Sequence, residues 1–271
     1  MKIFKSKHKL QKAITSLKNI SFVPTMGGLH QGHISLIRKS KKNRGKNLVS
    51  IFVNPKQFNK KRDFLAYPRN LNKDLRILKS LKVDFVYLPD VKDIFSFKPN
   101  KKIYLNKFSN KLCGKYRTGH FKGVLNVVNR FLEIIKPRYL FLGLKDFQQL
   151  QLINLHILKR KINTKIISCK TIRDINGVAH SSRNQNLDLN QIKIAADVFK
   201  YIKNKKRLLN KNLNEFNLVK IKKDIISLGV SKIDYIELYN LKNLKKPKNS
   251  KENFNIFIAY YLKKTRLIDN L

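Results

Sequence analysis

Short apolar segments alternate with longer amphipathic ones along the first two thirds of the chain, and this alternation restricts the fold more than any other feature. Five apolar runs predict β-strands: ISFVPT (20–25), LVSIFVN (48–54), VDFVYLP (83–89), YLFLG (139–143) and TKIISCKTI (164–172). Apolar residues recur at helical spacing in the segments 33–43, 71–81, 123–136 and 147–160. Because such alternation produces right-handed crossovers and parallel strands, we predict an α/β fold with a doubly wound, Rossmann-like sheet over residues 1–172.

The pattern changes after residue 172. Residues 190–225 form a lysine-rich stretch of helical character, and the segments 231–240 and 255–270 have the composition of strands. We therefore predict a smaller α+β domain over residues 173–271, which would act as a lid on the first domain.

The chain is strongly basic, and two interpretations of its charge remain open. Its 271 residues include 60 Lys and Arg against 16 Asp and Glu, a formal net charge of +44. Such an excess is typical of nucleic-acid-binding proteins. The lysines, however, are spread along the whole chain together with many Asn and Ile, which indicates compositional drift. We predict no specific nucleic-acid partner and expect the charge to attract anionic substrates.

The sequence also indicates where the protein resides. Cys113 and Cys169 lie far apart without the spacing of a metal site, as expected of reduced thiols. The N-terminus lacks the apolar core of a secretory signal, and no run approaches the roughly 18 apolar residues of a membrane span. We predict a cytoplasmic protein with no membrane partner and no protein-bound metal.

The segment PTMGGLHQGH (24–33) combines three glycines and two histidines directly after a predicted strand. Glycines let a backbone approach a phosphate closely, and the helix that follows offers unpaired N–H groups and a partial positive charge. His30 and His33 add hydrogen-bond donors. The alternative is a capped turn with surface histidines. We interpret the segment as a nucleotide phosphate site, although it matches neither the dinucleotide fingerprint nor the P-loop.

Three further motifs carry polar groups suited to the same chemistry. SIFVNPKQF (50–58) ends a strand in amides that can bind hydroxyl and carboxylate groups, and GLKDFQQL (143–150) follows another strand. In the latter, Asp146 could cap the helix or assist a metal, and Gln148 or Gln149 could face the site. AHSSRN (179–184) offers two hydroxyls and the guanidinium of Arg183, which can clamp a triphosphate. Each could instead be an ordinary turn.

The motif RTGHFKGV (117–124) carries Arg117, His120 and Lys122, and we predict that it is a loop entering the helix that begins near Gly123. The sequence contains no serine or cysteine triad, no zinc-ligand cluster and no pair of carboxylates placed for acid–base catalysis. The groups singled out instead bind anions and polar groups. Such groups serve nucleotidyl or phosphoryl transfer, in which positioning and electrostatics carry most of the catalysis.

Together, these motifs resemble one family, pantothenate synthetase (pantoate–β-alanine ligase) of the HIGH-motif nucleotidyltransferase superfamily. The resemblance rests on VPTMGGLHQGH, SIFVNPKQF, YPRNLNKDL, VDFVYLP, RTGHFKGV, FLGLKDFQQL, SSRN and the terminal RLIDN, in this order. It implies an ATP- and Mg²⁺-dependent ligase that joins (R)-pantoate to β-alanine through a pantoyl adenylate, and it also implies a homodimer.

The resemblance further implies roles for individual residues. Catalysis would involve His30, His33, Lys145 and Arg183, with His33 stabilising charge on the phosphates as the family's proton donor. Gln57 and Gln149 would bind pantoate, and Gln57 would also meet β-alanine. The residues implied in ATP binding are Met26, Gly27, Gly28, Leu29, His30, Gln31, Gly32, His33, Gly143, Leu144, Lys145, Asp146, Ile172, Ser181, Ser182 and Arg183.

The chain departs from the family pattern at three positions, with Leu144 where Glu is usual, His180 where an apolar residue is usual and Thr118 where Pro is usual. Leu144 matters most, because it removes a carboxylate from an ATP-binding segment. Two other functions remain open from the sequence. One is a nucleotidyltransferase for a phosphorylated substrate, which the neutral Gln57 and Gln149 disfavour. The other is a salt-sensitive nucleic-acid-binding module.

Overall fold

The apolar runs of the first half form a six-stranded sheet in the first of two units, Met1–Thr171 and Ile172–Leu271, into which the chain divides. The structure is a computed structural model that describes residues 1–59 and 61–271. The strands of this sheet are β1 (Lys2–Phe4), β2 (Ile20–Thr25), β3 (Lys46–Ile51), β4 (Phe85–Tyr87), β5 (Tyr139–Gly143) and β6 (Lys165–Cys169). Their spatial order is β1-β4-β3-β2-β5-β6, and every pairing between neighbours is parallel.

This strand order makes β2 the centre of a doubly wound sheet, as predicted. The chain adds β3 and β4 on one side of β2, then crosses back and adds β5 and β6 on the other side. The direction of winding therefore reverses between β2 and β5. In open parallel sheets, ligands bind beyond the carboxyl ends of the strands at such a point.

Helices cover both faces of the sheet, because successive strand residues face opposite sides. The helices of this unit are α1 (Lys7–Ile14), α2 (Gln31–Lys41), α3 (Lys61–Leu65), α4 (Leu71–Ser80), α5 (Val91–Phe95), α6 (Cys113–Tyr116), α7 (His120–Ile135) and α8 (Phe147–Lys159). Phe22, Leu48 and Leu140 pack in one apolar cluster with α1, α7 and α8. Their neighbours Val23, Val49 and Phe141 pack in another cluster with α2 and α4.

The second unit is a small α+β structure, as predicted. Its elements are α9 (Leu189–Leu209), α10 (Leu218–Ser227), β7 (Lys232–Asn240), β8 (Phe254–Leu262) and β9 (Thr265–Asn270). The three strands form an antiparallel sheet in the order β7-β8-β9, and one apolar cluster joins the sheet to both helices. At the start of α9, Asp188 and Gln191 form a reciprocal capping box. This unit begins at Ile172, one residue before the predicted boundary.

The structure corrects several boundaries predicted from the sequence. Strand β3 ends at Ile51, three residues early, because Asn54 and Pro55 begin a 3₁₀ turn over Pro55–Gln57. Helix α7 begins at His120, not near Gly123. The lysine-rich stretch forms two helices, and Asn217 caps the second by accepting from the N–H of Lys220. The short strand β1 was missed because three partly exposed residues give no clear periodicity.

Among the residues that the structure describes, no helix combines the length and the apolar character needed to cross a bilayer.

A buried histidine fastens the segment before α6 to helices α7 and α8. His156 is 0% exposed. Its Nδ1 accepts from the backbone N–H of Tyr104 at 3.1 Å, and its Nε2–H donates to Oδ1 of Asn129 at 3.0 Å. Because Nδ1 must accept, the bond from Tyr104 requires neutral imidazole, and the bond to Asn129 places its proton on Nε2. Desolvation, followed by the charges of Arg160 and Lys101, lowers the pKa of His156 to about 4.

We expect His156 to make folding stability sensitive to acid. Its folded-state pKa lies below the ordinary value of about 6.5, so its contribution is complete above pH 6.5 and is lost as the pH falls towards 4. The loss should reach about 3 kcal/mol. His156→Asn, which cannot titrate, should lose less unfolding free energy than the wild type between pH 7 and 4.5 in urea titrations. Equal losses in both proteins would contradict this assignment.

Candidate active site

The three motifs that follow β2, β3 and β5 lie at one edge of the sheet. Strand β2 pairs with β3 up to Thr25 and Ile51, the last residues of both strands, and with β5 on its other side. Because the strands are parallel, their carboxyl ends share the same edge. The segments 26–33, 52–57 and 143–149 all leave the sheet there, at the predicted ligand-binding edge.

The glycine turn of the first motif is held by a carboxylate from α4. Asp74 is 2% exposed, and its Oδ2 and Oδ1 accept from the N–H groups of Gly28 at 2.9 Å and Leu29 at 2.8 Å. Gly27 and Gly28 have φ of +79° and +60°, and a Cβ on Gly27 would lie 2.9 Å from Oδ2 of Asp74. Glycine at position 27 thus permits both the left-handed turn and the approach of the carboxylate.

These bonds change the expected use of the glycine turn. We expected the glycines to let the backbone approach a phosphate, but the N–H groups of Gly28 and Leu29 bind Asp74. The N–H of Gly27 donates to Oγ1 of Thr25 at 3.2 Å, and that of Gly32 donates to Nδ1 of His30 at 3.1 Å. These four amides are therefore engaged within the protein.

The two histidines stand together at the start of α2. His30 is the N-cap residue, and its ring lies 4.1 Å from that of His33, centroid to centroid. The Nδ1 atom of His33 is buried and has no hydrogen-bond partner among the described residues. Such an atom is costly unless a ligand or solvent satisfies it. This feature favours a ligand site over a capped turn with surface histidines.

The charge state of His33 connects the first and third motifs. Burial lowers the pKa of His33 to about 4; Asp146 opposes this shift and Lys145 adds to it. His33 is therefore neutral at pH 7 in the absence of a ligand. The influence of both charges indicates that the segment after β5 lies close to the histidines.

Gln57 of the second motif contacts a residue of the first motif. It is 8% exposed, its Oε1 accepts from Nδ2 of Asn54 at 3.3 Å, and its Nε2 contacts the sulfur of Met26. Asn54 further accepts from the N–H of Lys56 at 3.1 Å, which forms the turn. The structure thus brings together the residues predicted from the loops after β2 and β3.

The third motif begins with a 3₁₀ turn over Leu144–Asp146. Nζ of Lys145 lies 3.0 Å from Oδ1 of Asp146, and the Asp146 side chain makes no capping bond to α8 although it occupies the N-cap position. The side chain of Leu144, one of the positions at which we expect a departure from the family pattern, packs against the apolar cluster that contains α7 and α8. The core of this unit therefore accommodates an apolar residue at this position.

The tandem glutamines of α8 have different environments. Gln148 is buried; its Nε2 donates to the carbonyls of Phe108 at 2.8 Å and Lys111 at 2.7 Å, and its Oε1 accepts from the N–H of Cys113 at 3.1 Å. Gln149 is partly exposed and makes no side-chain hydrogen bond to any described residue. Of the two, Gln149 is the one available to a ligand.

The remaining predicted ATP residues lie within the second unit. The carbonyl of Ile172 accepts from the N–H of His180 at 3.0 Å, which places Ile172 beside the start of the SSRN segment. Oγ of Ser181 accepts from the N–H of Arg183 at 3.3 Å and thereby begins a 3₁₀ turn over Ser182–Asn186. Ile172, Ser181, Ser182 and Arg183 are thus neighbours in one local structure.

Comparison with known proteins identifies the family. A family model for pantoate-beta-alanine ligase matches residues 2–271. The chain belongs to the pantoate-beta-alanine ligase family. Pantothenate synthetase from Francisella tularensis subsp. novicida is 41% identical over 273 residues, which cover 98% of this chain and 94% of that protein. The resemblance inferred from the motifs is confirmed.

Two solved structures of this family show similar folds. Pantoate-beta-alanine ligase from Francisella tularensis, complexed with beta-gamma ATP and beta-alanine, is 40% identical, with a TM-score of 0.84 over 100% of this chain and 97% of that chain. Pantothenate synthetase from Thermus thermophilus is 26% identical, with a TM-score of 0.90 over 100% and 99% of the two chains. The predicted fold class is thereby confirmed.

Sequence reasoning assigned no role to Asp74, although YPRNLNKDL is one of the motifs that carry the resemblance to pantoate-beta-alanine ligases. Asp74 lies in the first turn of α4, where an acidic residue is common because it complements the helix dipole. No sequence signal links Asp74 to the glycine turn, because it lies 46 and 45 residues from Gly28 and Leu29.

We expect Asp74→Asn to weaken ATP binding by about tenfold and to cost about 1–3 kcal/mol in stability. The amide would turn an N–H donor towards Gly28 or Leu29, so one of the two bonds would be lost. Asp84→Asn is the matched control, because Asp84 accepts from the N–H of Asn47 at 3.0 Å at the opposite edge of the sheet.

The two variants should differ in calorimetric titrations with ATP and resemble each other in thermal unfolding. Asp84→Asn should retain the ATP affinity of the wild type. Unchanged ATP affinity in a folded Asp74→Asn variant would show that the glycine turn does not depend on Asp74 for nucleotide binding.

Proposed function

We propose that the protein is a pantoate–β-alanine ligase that uses ATP to condense (R)-pantoate with β-alanine, giving pantothenate, AMP and pyrophosphate. The observation that carries this proposal is the match of the family model over residues 2–271. The similar ligase from Francisella tularensis, which was crystallised with beta-gamma ATP and beta-alanine, supports it. The convergence of segments 26–33, 57 and 145–149 at one sheet edge supports it.

The reaction would proceed in two steps. A carboxylate oxygen of pantoate attacks the α-phosphorus of ATP, and pyrophosphate leaves. The amine of β-alanine then attacks the acyl carbon of the pantoyl adenylate, AMP leaves, and the amine loses a proton as the amide forms. Both steps move negative charge onto phosphate oxygens, and such charge is stabilised by fixed donors and cations.

The ATP site would use the groups that this edge provides. His33 is neutral before ATP binds, so it would donate a hydrogen bond to a phosphate without the cost of a fixed buried charge. The approach of a triphosphate would favour its protonated form and let it act as a proton donor. Lys145 and Arg183 would neutralise the charge that develops on the phosphates.

The acceptor site would be formed by amides. Gln57 and Gln149 would bind the hydroxyl and carboxylate groups of pantoate, and Gln57 would also meet β-alanine. An amide both donates and accepts, which suits a hydroxy acid. A substrate carrying a second phosphate would instead favour cationic side chains. This feature of the two residues supports pantoate over a phosphorylated acceptor.

Mg²⁺ would enter with ATP as part of that substrate. Proteins commonly bind Mg²⁺ through one or two carboxylates and the phosphates of the nucleotide. Asp146 is the carboxylate of the third motif and would be the protein's contribution. We also propose that the protein acts in the cytoplasm and that it is a homodimer, as the family resemblance implies.

A pyrophosphate assay tests this function. The protein is mixed with MgATP and pantoate, and pyrophosphate release is followed with and without β-alanine. We expect a single turnover of pyrophosphate with pantoate alone and continuous turnover when β-alanine is added. No pantoate-dependent release, together with adenylation of a phosphorylated acceptor, would overturn the proposal. Tight, salt-sensitive binding to duplex DNA or RNA at physiological salt, without turnover, would also overturn it.

We expect His33→Ala to slow adenylate formation by about 10²-fold or more, because it removes a donor aimed at developing charge. Single-turnover pyrophosphate release measures this step directly. His8→Ala is the control, since His8 is an exposed residue of α1, which follows the outermost strand β1, separated from β2 by β4 and β3; its loss should leave the rate unchanged. Near-normal adenylate formation by His33→Ala would exclude the role given to this histidine.

A further inference from the structure

The first turn of α7 packs directly against the 3₁₀ turn that presents Gln57. A Cβ at Gly123 would overlap the backbone carbonyl of Lys56 and would lie 2.8 Å from Cα of Gln57. Nδ2 of Asn54 donates to the carbonyl of Gly123 at 3.1 Å. Glycine at position 123 thus lets the helix and the turn meet backbone to backbone.

His120, the first residue of α7, adds a directed hydrogen bond to this contact. It is 8% exposed, and its Nδ1 lies 2.7 Å from the carbonyl oxygen of Gln57. A carbonyl oxygen can only accept, so Nδ1 carries the proton and donates it. The bond therefore fixes the backbone of the residue whose side chain would bind pantoate.

Arg117 determines the same tautomer from the other side of the ring. Its guanidinium nitrogen lies 3.1 Å from Nε2 of His120. A guanidinium can only donate, so Nε2 must accept and cannot carry a proton. The carbonyl of Gln57 places a proton on Nδ1 and Arg117 excludes one from Nε2, so the two contacts together require the neutral, Nδ1-protonated form. Arg117 in turn lies 3.9 Å from a carboxylate oxygen of Asp63.

We propose that His120 is a positioning residue for the acceptor substrate, which holds the Asn54–Gln57 turn through the carbonyl of Gln57 while Arg117 fixes its tautomer. The inference rests on the proposed function, in which Gln57 binds pantoate. His120 acts through Gln57, so its loss affects pantoate binding and leaves the ATP site intact. This assigns a role to the RTGHF motif.

Two variants of His120 separate positioning from simple packing. In His120→Asn, an amide nitrogen at the δ position can still donate to the carbonyl of Gln57, whereas His120→Ala removes the donor. We expect His120→Ala to raise the KM for pantoate about tenfold and to change the KM for ATP less than about twofold. His120→Asn should lie within about threefold of the wild type for both substrates.

Two other variants calibrate this result. Gln57→Ala should raise the KM for pantoate at least as much as His120→Ala does. His156→Ala is the matched control, because it removes a buried histidine from α8 whose partners are the backbone of Tyr104 and the side chain of Asn129. It should lower the thermal unfolding temperature without a selective effect on pantoate.

The results that would overturn the proposal differ from those that would overturn the function. A wild type without pantoate-dependent turnover would defeat both. In an active enzyme, three outcomes would defeat this proposal alone. The first is an unchanged KM for pantoate in His120→Ala or Gln57→Ala, and the second is an equal defect in both His120 variants. The third is a rise in the KM for ATP of His120→Ala that matches its rise in the KM for pantoate. If His120→Ala does not fold, ¹⁵N spectra of the wild type decide, because an Nε2-protonated imidazole would contradict the geometry.

Discussion

The parallel pairing of β2 with both β3 and β5 is the constraint on which the rest of this structure depends. Hydrogen bonds join Thr25 to the end of β3 and the start of β2 to the start of β5, so three loops must leave the sheet side by side. Met26, Gln57 and Lys145 are distant in sequence but share this edge for that reason. The crossover that places β5 beside β2 creates the crevice, and the loops supply its side chains.

Around that crevice, many polar side chains form hydrogen bonds that fix other parts of the protein. Asp74 holds the glycine turn, Asn54 and His120 hold the turn of Gln57, and Gln148 holds the segment around Phe108. By contrast, Nδ1 of His33 is buried without a hydrogen-bond partner among the described residues, and the partly exposed amide of Gln149 holds no other described group. A site built in this way is fixed before substrate arrives, which is how enzymes reduce the reorganisation needed in the transition state.

Periodicity and motif order were sufficient to predict the sheet, the second unit and the loops that form the edge, because burial on both faces leaves a continuous apolar run. They could not show that the amides of Gly28 and Leu29 are bound to Asp74, since that contact spans 45 residues or more. Nor could they separate Gln148 from Gln149, because adjacent helical residues differ only in the direction they face. The start of α7 at His120 was equally hidden, as Gly119 and Gly123 both weaken the helical signal.

The use of carboxylates as hydrogen-bond acceptors for backbone amides affects the balance of charge in solution. Asp74 and Asp93 accept from main-chain N–H groups and form no ion pair with a lysine or arginine among the described residues, whereas Asp84 also pairs with Lys46 at 3.0 Å. With only 16 acidic residues, most of the +44 charge must be balanced by dissolved counter-ions. Phosphate and sulfate will therefore compete with ATP for the same surface potential, and any nucleotide affinity measured for this protein is also a property of its buffer.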